Sequence, residues 1–266
     1  MFNTLRSIIY VFWLYGSIII LGIFWSPAFI LPRRVTIWGM RSWAAAARWG
    51  LRWICGIRTE FRGLENLPDG PCLVASKHQS MYDILMPFLF LDDVAYVLKR
   101  ELMFYPIFGW YAWKADMIPI NRGGYVKTLK MMMKRARDEV ERGRQFLIFP
   151  EGTRRAPGAE PDYKTGVAAM YSQIGKPCVP VALNTGLCWP RKGLTRKPGL
   201  IIFEILPPIA PGLPRDEFMQ TLEHAIEPAC ERLLDEGLAA QGRDRTSLIT
   251  SDEDTDPPAS KVTANA

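Results

Sequence analysis

The segment Lys77-His78-Gln79-Ser80-Met81-Tyr82-Asp83 sets one of only two histidines in 266 residues five positions before a carboxylate. Imidazole titrates near neutral pH, and a nearby carboxylate fixes its tautomer and steadies the imidazolium, so the pair is equipped for general-base chemistry. Its setting sharpens the reading. Pro71-Cys72-Leu73-Val74-Ala75-Ser76 has the composition of a short buried strand, and Met81 to Leu91 reads as an apolar helix that begins just after His78. A strand-to-helix junction of this kind is where open α/β sheets hold their ligands. Asp83 also fits a second pattern, because Ser80-Met81-Tyr82-Asp83 has the S-x-x-D form of a capping motif with Ser80 as N-cap. The two roles are compatible, since a carboxylate on the first turn can face the imidazole.

A second landmark, Phe149-Pro150-Glu151-Gly152-Thr153-Arg154-Arg155, follows the strand-like Arg144-Gln145-Phe146-Leu147-Ile148. A strand that runs into Pro, Gly and two arginines presents backbone and guanidinium donors together, which suits a phosphate gripped by bidentate contacts. A charged surface turn is the competing reading of the segment by itself.

These blocks occur in a set order. His78-x4-Asp83 is followed by Lys99-Arg100-Glu101-Leu102 with Pro106, Gly109 and Pro119-Ile120-Asn121-Arg122, then by Phe149 to Arg154, then by Val179-Pro180-Val181-Ala182. The succession resembles the glycerolipid acyltransferases over residues 60 to 210 or so. The resemblance implies that His78 takes the proton of a lysolipid's free hydroxyl while that oxygen attacks an acyl thioester, with Asp83 orienting His78 and no covalent acyl-enzyme. It also carries the substrate-binding block onto Glu151, Gly152, Thr153 and Arg154, and a further phosphate-binding arginine onto Arg122; Lys99, Arg100 and Lys164 are additional candidates for phosphate contact. No cofactor is implied, only acyl-CoA or acyl carrier protein as co-substrate, and lysophosphatidic acid as the first-choice acceptor. Many members carry Asn directly before the motif histidine, where this chain has Lys77, so another lysolipid such as a lyso-aminolipid stays open as acceptor. A catalytically silent membrane scaffold is the reading from a different class, and the intact His78, Asp83, Glu151 and Arg154 oppose it.

The elements that must position these residues follow from the same pass. Cys72 to Ser76, Val94 to Leu98, Met117 to Ile120, Gln145 to Phe149, Cys178 to Leu183 and Leu200 to Leu206 read as strands separated by stretches long enough for crossover helices. Helical intervals include Tyr125 to Arg142, Thr165 to Ile174 and Arg215 to Leu234. The pattern predicts an α/β fold with a mostly parallel central sheet flanked by helices. Met131-Met132-Met133 is consecutive rather than confined to one face, and reads as packing. Phe104, Tyr105, Phe108, Trp110 and Trp113 form an aromatic cluster suited to packing, to membrane contact or to the wall of an acyl tunnel.

No charge falls between Ser7 and Pro32, and Ile8 to Ser26 is nearly continuous in its apolar character. As a helix that run is about 28 Å long at 1.5 Å per residue, close to the roughly 30 Å of bilayer hydrocarbon. Arg33, Arg34, Arg41, Arg48 and Arg52 follow it, and a positive-inside bias puts the body on the cytoplasmic side of the membrane. A cleaved signal peptide fits less well, because the apolar run is too long and leads into basic sequence without an A-x-A site. From Trp38 to Trp53 the three arginines Arg41, Arg48 and Arg52 share a helical face flanked by tryptophans, a pattern for a helix lying among headgroups of anionic phospholipid. A true span and a re-entrant or monotopic anchor both fit the sequence.

The chain therefore divides into a membrane anchor at 1–58, a catalytic domain at 59–240 and a disordered tail at 241–266, where charge, Ser, Thr and two prolines replace apolar residues. A net charge of +6 and a pI of about 9.1 would suit nucleic acid, but the basic residues lie beside the apolar anchor and the motif blocks. With no nucleic-acid module in the chain, anionic lipid and phosphate-bearing substrates explain the charge better. The five cysteines are odd in number, sit in apolar context and lack C-x-x-C pairing, as expected of reduced core residues. Ligand-type His and Cys are too scarce and scattered for a metal site.

Overall fold

Among the described residues seven strands form one sheet: β1 (Ile57–Arg62), β2 (Leu73–Ser76), β3 (Val94–Lys99), β4 (Ile118–Ile120), β5 (Gln145–Ile148), β6 (Cys178–Leu183) and β7 (Gly199–Ile205). The computed structural model describes residues 2–120 and 125–247, with 125–129 in backbone only; Arg122 and the tail from 248 onward lie outside the described residues. The strand order is β1-β7-β6-β2-β5-β3-β4, and every neighbouring pair is parallel except β6 with β7. The expected mostly parallel sheet is present. Six of its strands match the expected runs, and β1 is an addition. Leu73 pairs with both Phe146 and Cys178, so β2 lies between β5 and β6, and the segments leaving these three strands converge at one edge of the sheet.

Side chains alternate along each strand, so the sheet feeds two apolar layers. Val74, Val179, Val181, Leu183, Ile201 and Phe203 enter one layer; Leu73, Ala75, Cys178, Ala182, Leu200 and Ile202 enter the other. The second layer is closed by α5 (Tyr125–Glu141), α6 (Gly166–Ile174) and α7 (Arg215–Ala240). The first is closed by α1 (Phe2–Phe24), α2 (Arg33–Gly50), α3 (Pro87–Phe90) and α4 (Phe108–Lys114). The apolar N-terminal segment is therefore a layer of the molecule, with Tyr10, Leu14, Ile37, Met40 and Trp43 in the same cluster as the sheet.

Polar contacts hold α1 in that layer. Tyr10 Oη donates to Ala47 O at 3.3 Å, Trp13 Nε1 to Ala46 O at 2.8 Å, and Trp43 Nε1 to Leu14 O at 3.2 Å. Near its start, the Ser7 hydroxyl accepts from the Arg196 amide at 2.7 Å, and the Arg196 guanidinium lies over the rings of Trp189 and Tyr10. Near its end, Tyr111 Oη donates to Gly22 O at 2.8 Å. The helices approach so closely that a Cβ at Gly50 would stand 2.3 Å from Trp13 Cδ1. The opposite face of α1 exposes Phe2, Leu5, Ile9, Phe12, Ile20, Ile23 and Phe24.

Two local expectations change. The helix expected from Met81 to Leu91 is instead a single 3-10 turn, Met81–Ile84, followed by the one-turn α3. Pro87 is the reason: it lacks an N–H and its ring obstructs the preceding turn, so it starts a new helix. The arginine face of the second helix is also largely turned inward. Arg41 donates to Leu91 O at 2.6 Å and Arg48 to Thr59 O at 3.0 Å, which leaves Arg52 as the exposed member of the three.

Candidate active site

His78 leaves the end of β2, and the 3-10 turn that follows carries Asp83 back beneath it. Asp83 is completely buried, and its Oδ2 accepts from the Gln79 amide at 2.6 Å, the Ser80 amide at 2.7 Å and His78 Nδ1 at 3.0 Å. Ser80 Oγ accepts in turn from the Tyr82 amide at 3.1 Å, and the capping box is complete. The one carboxylate thus caps the turn and orients the imidazole together. With a carboxylate oxygen as its partner, Nδ1 is the nitrogen that carries the proton, and Nε2 keeps its lone pair. The ring is 15% exposed, enough to meet a substrate, and stacks on Phe149 with centroids 4.0 Å apart. Tyr82, whose Oη lies 2.9 Å from Thr59 Oγ1 of β1 and whose ring stacks on Trp189, fixes the turn from below.

The loop after β5 is bound to the same spot. The Arg155 amide donates to His78 O at 2.8 Å, and the Gly152 amide to Phe149 O at 2.9 Å. Gly152 sits at φ +65°, a left-handed conformation that favours glycine, and this bend carries the chain from buried Glu151 to half-buried Arg154. Among the described residues no acceptor holds the Arg154 guanidinium, which leaves five N–H donors for an anion. Thr153 is half-buried beside it.

Glu151 is placed differently from its neighbours. Its side chain is buried, and its Oε1 accepts from Lys77 Nζ at 2.9 Å. The same ammonium donates to Glu227 Oε1 of α7 at 2.7 Å, and Tyr163 Oη donates to that oxygen at 2.6 Å. Burial works to strip Lys77 of its proton, but the Glu227 hydrogen bond and the Glu151 charge outweigh it and hold the ammonium above its ordinary range. Gln79 completes the frame by accepting the Gly186 amide on its Oε1 at 3.0 Å, which ties the histidine segment to the loop after β6.

The remaining candidates are scattered. Lys164 is exposed and paired with Asp162 at 2.7 Å. Lys99 and Arg100 are exposed at the end of β3, and Lys99 pairs in register with Ile120, the last residue of β4. Glu227 and Tyr163 were not singled out from the sequence. Nothing local marks them, because Glu227 lies 150 residues from its lysine partner.

An apolar cavity of about 30 Å³ lies on the α1 and α2 side of the histidine turn. Ile18, Leu21, Met40 and Trp43 wall it from the N-terminal helices, Leu85 and Phe88 from the segment after Asp83, and Ile107, Phe108 and Tyr111 from α4. Its lining is almost wholly hydrocarbon. The other aromatic residues of the cluster, Phe104, Tyr105, Trp110 and Trp113, face outward.

Comparison with known proteins places this site in context. A family model described as Acyltransferase matches residues 58–184. The chain is 36% identical over 203 residues to a 1-acyl-sn-glycerol-3-phosphate acyltransferase of Pseudomonas aeruginosa, covering 75% of this chain and 78% of that one. It is 29% identical over 163 residues to the 1-acyl-sn-glycerol-3-phosphate acyltransferase alpha of Mus musculus, covering 60% and 57% of the two chains. The fold matches the crystal structure of the 1-acyl-sn-glycerophosphate acyltransferase PlsC from Thermotoga maritima with a TM-score of 0.73 at 23% identity, covering 87% of this chain and 97% of that one.

Proposed function

The chain belongs to the glycerolipid acyltransferases, and from that premise we propose that it moves a fatty acyl group from acyl-CoA or acyl carrier protein to the free sn-2 hydroxyl of 1-acyl-sn-glycerol-3-phosphate, giving phosphatidic acid. The observation that carries the mechanism is the 3.0 Å bond from His78 Nδ1 to buried Asp83, with the loop that bears Arg154 tied to the same histidine through the Arg155 amide and the His78 carbonyl. His78 Nε2 takes the proton of the acceptor hydroxyl as its oxygen attacks the thioester carbonyl carbon. The tetrahedral intermediate then collapses, the C–S bond breaks, and the imidazolium returns the proton to the departing thiolate. An ester bond forms with no acyl-enzyme on the way. Asp83 steadies the imidazolium, and Arg154 holds the phosphate through charged hydrogen bonds.

The two N-terminal helices suit membrane association. Because contacts near both ends tie α1 to the body, we read it as an apolar face sunk into one leaflet rather than a free span, with the catalytic body on the cytoplasmic side.

An acyl-transfer assay on membranes, with a panel of lysolipids each offered both donors, tests the reading. His78→Ala is expected to lower turnover by about 10²- to 10⁴-fold. Arg154→Ala is expected to raise the KM for lysophosphatidic acid by about ten- to hundredfold, the worth of one or two charged hydrogen bonds. Normal turnover by a folded His78→Ala protein would refute the mechanism, and acceptance of a lyso-aminolipid with rejection of lysophosphatidic acid would refute the acceptor.

A further inference from the structure

We propose that Lys77 is a positioning residue whose ammonium, seated on Glu151 and Glu227, fixes the Glu151-to-Arg155 loop at the level of His78. The inference rests on the acyl-transfer reading of that site and goes one step deeper into it. Lys77 is the residue immediately before the histidine, yet its side chain is turned away from solvent, 3% exposed, and bridges two carboxylates from distant parts of the chain at 2.9 and 2.7 Å. The Tyr163 ring lies 5.6 Å from Nζ, and its hydroxyl bonds the Glu227 oxygen that also meets the ammonium. The end of β2, the loop after β5, the segment ahead of α6 and α7 itself are thereby joined at one buried point.

The start of the loop is held by Phe149 stacked on His78 and by the Lys164 amide on Pro150 O, so Lys77 acts on the stretch that follows, from Glu151 to Arg155. Its main chain reaches the histidine through the Arg155 amide and the His78 carbonyl, and Glu151 is the side chain at the opposite end of the same short bend. Between them the backbone turns at Gly152, φ +65°, so a shift of Glu151 is passed on to Arg154. Among the described residues no second side chain bonds Glu151, and its Oε2 is buried without a partner. An apolar cluster of equal volume would pack these elements as firmly. It would lack the directional bonds that select one separation between the base and the anion-binding arginine.

The test uses the full chain in detergent or membranes and two independent readouts. In Lys77→Met, hydrogen exchange of the 149–155 segment should speed up at least tenfold while that of β3 stays as in the wild type. The same variant should lose at least tenfold in kcat and gain at least tenfold in acceptor KM, with donor KM within twofold; Lys77→Arg should recover part of both. Should Lys77→Met fail to fold, Glu227→Gln and Tyr163→Phe, each removing one contact from the cluster, carry the test with effects in the same direction. Unchanged exchange in the 149–155 segment, or unchanged kcat and acceptor KM in a folded variant, overturns the proposal. A wild type inactive on every lysolipid would instead sink the acyl-transfer reading, and the exchange measurement would still decide the clamp.

Discussion

Asp83 accepts three hydrogen bonds on one oxygen, and the two amides among its donors belong to the turn that holds His78. Orientation of the imidazole and integrity of the turn are therefore one problem at this residue. Asp83→Asn keeps an acceptor for the cap but also brings an N–H₂ donor that can meet Nδ1 and select the wrong tautomer. Its expected outcome is a loss of about 10²- to 10⁴-fold in kcat, with a cost to stability of about 0.5–2 kcal/mol at most, the range for a helix cap. A pair of assays, turnover at saturating substrates and denaturant unfolding, checks both numbers. His78, Asp83 and the Glu151 to Arg154 block were legible in sequence because each lies in a contiguous motif with turn chemistry of its own. Glu227 and Tyr163 were not, since their partner is fixed by how α7 packs against β6 and nothing in their neighbourhood names it. The role of Glu151 was legible only in part: its place in the block pointed to substrate, while its buried bond to Lys77 points to the frame.

At the scale of elements, periodicity located six strands but passed over β1. Arg58, Glu60 and Arg62 interrupt its apolar residues, and a search for continuous apolar runs misses an edge strand that buries only alternate positions, Ile57 and Thr59. The segment after Asp83 misled in the opposite sense, because its apolar residues suit a helix and Pro87 divides it. A second feature of this scale is a buried charge network. Arg144, 1% exposed, bonds Glu139 at 2.7 Å, Asp93 at 3.1 Å and three backbone carbonyls, while Asp93 also pairs with Arg33 of α2. Arg144→Met takes from buried Glu139 its buried partner, leaving it only the exposed Arg142 at 2.9 Å, and also strips Asp93 of one of its two arginines; it is expected to destabilise by about 3–5 kcal/mol, read by denaturant unfolding. Burial works to raise Asp93, but the Arg33 hydrogen bond and the Arg144 charge outweigh it and hold the carboxyl below its usual range. A depressed carboxyl contributes stability that is complete above its unfolded value of about 3.9 and is lost as pH falls through the lower folded value. Unfolding measured from pH 7 down to 3 should show that loss in the wild type, and Asp93→Asn should flatten it. Close helix contact makes a separate prediction: Gly50→Ala drives a methyl into Trp13 and should cost about 1–3 kcal/mol, visible as a lowered unfolding midpoint.

For the molecule as a whole, the sequence divided an anchor from a catalytic body, and the structure joins them in one apolar cluster. The reason is physical. A stretch without charge carries no signal for which of its sides will meet protein and which will meet lipid; that is decided by Tyr10, Trp13 and Trp43 bonding α1 to α2, and by Ser7 and Gly22 finding partners in the body. The outer side of α1 and the outward aromatic residues Phe104, Tyr105, Trp110 and Trp113 remain as one contribution each to an exposed apolar surface. On the proposed placement with the exposed face of α1 in one leaflet, a helix held near both its ends would keep His78 at a constant height above the bilayer surface, so that acceptor arrives by lateral diffusion in two dimensions. Turnover in mixed micelles should then follow the mole fraction of lysophosphatidic acid at the surface. Diluting acceptor with inert detergent at constant bulk concentration should slow the enzyme, and adding buffer at constant mole fraction should not.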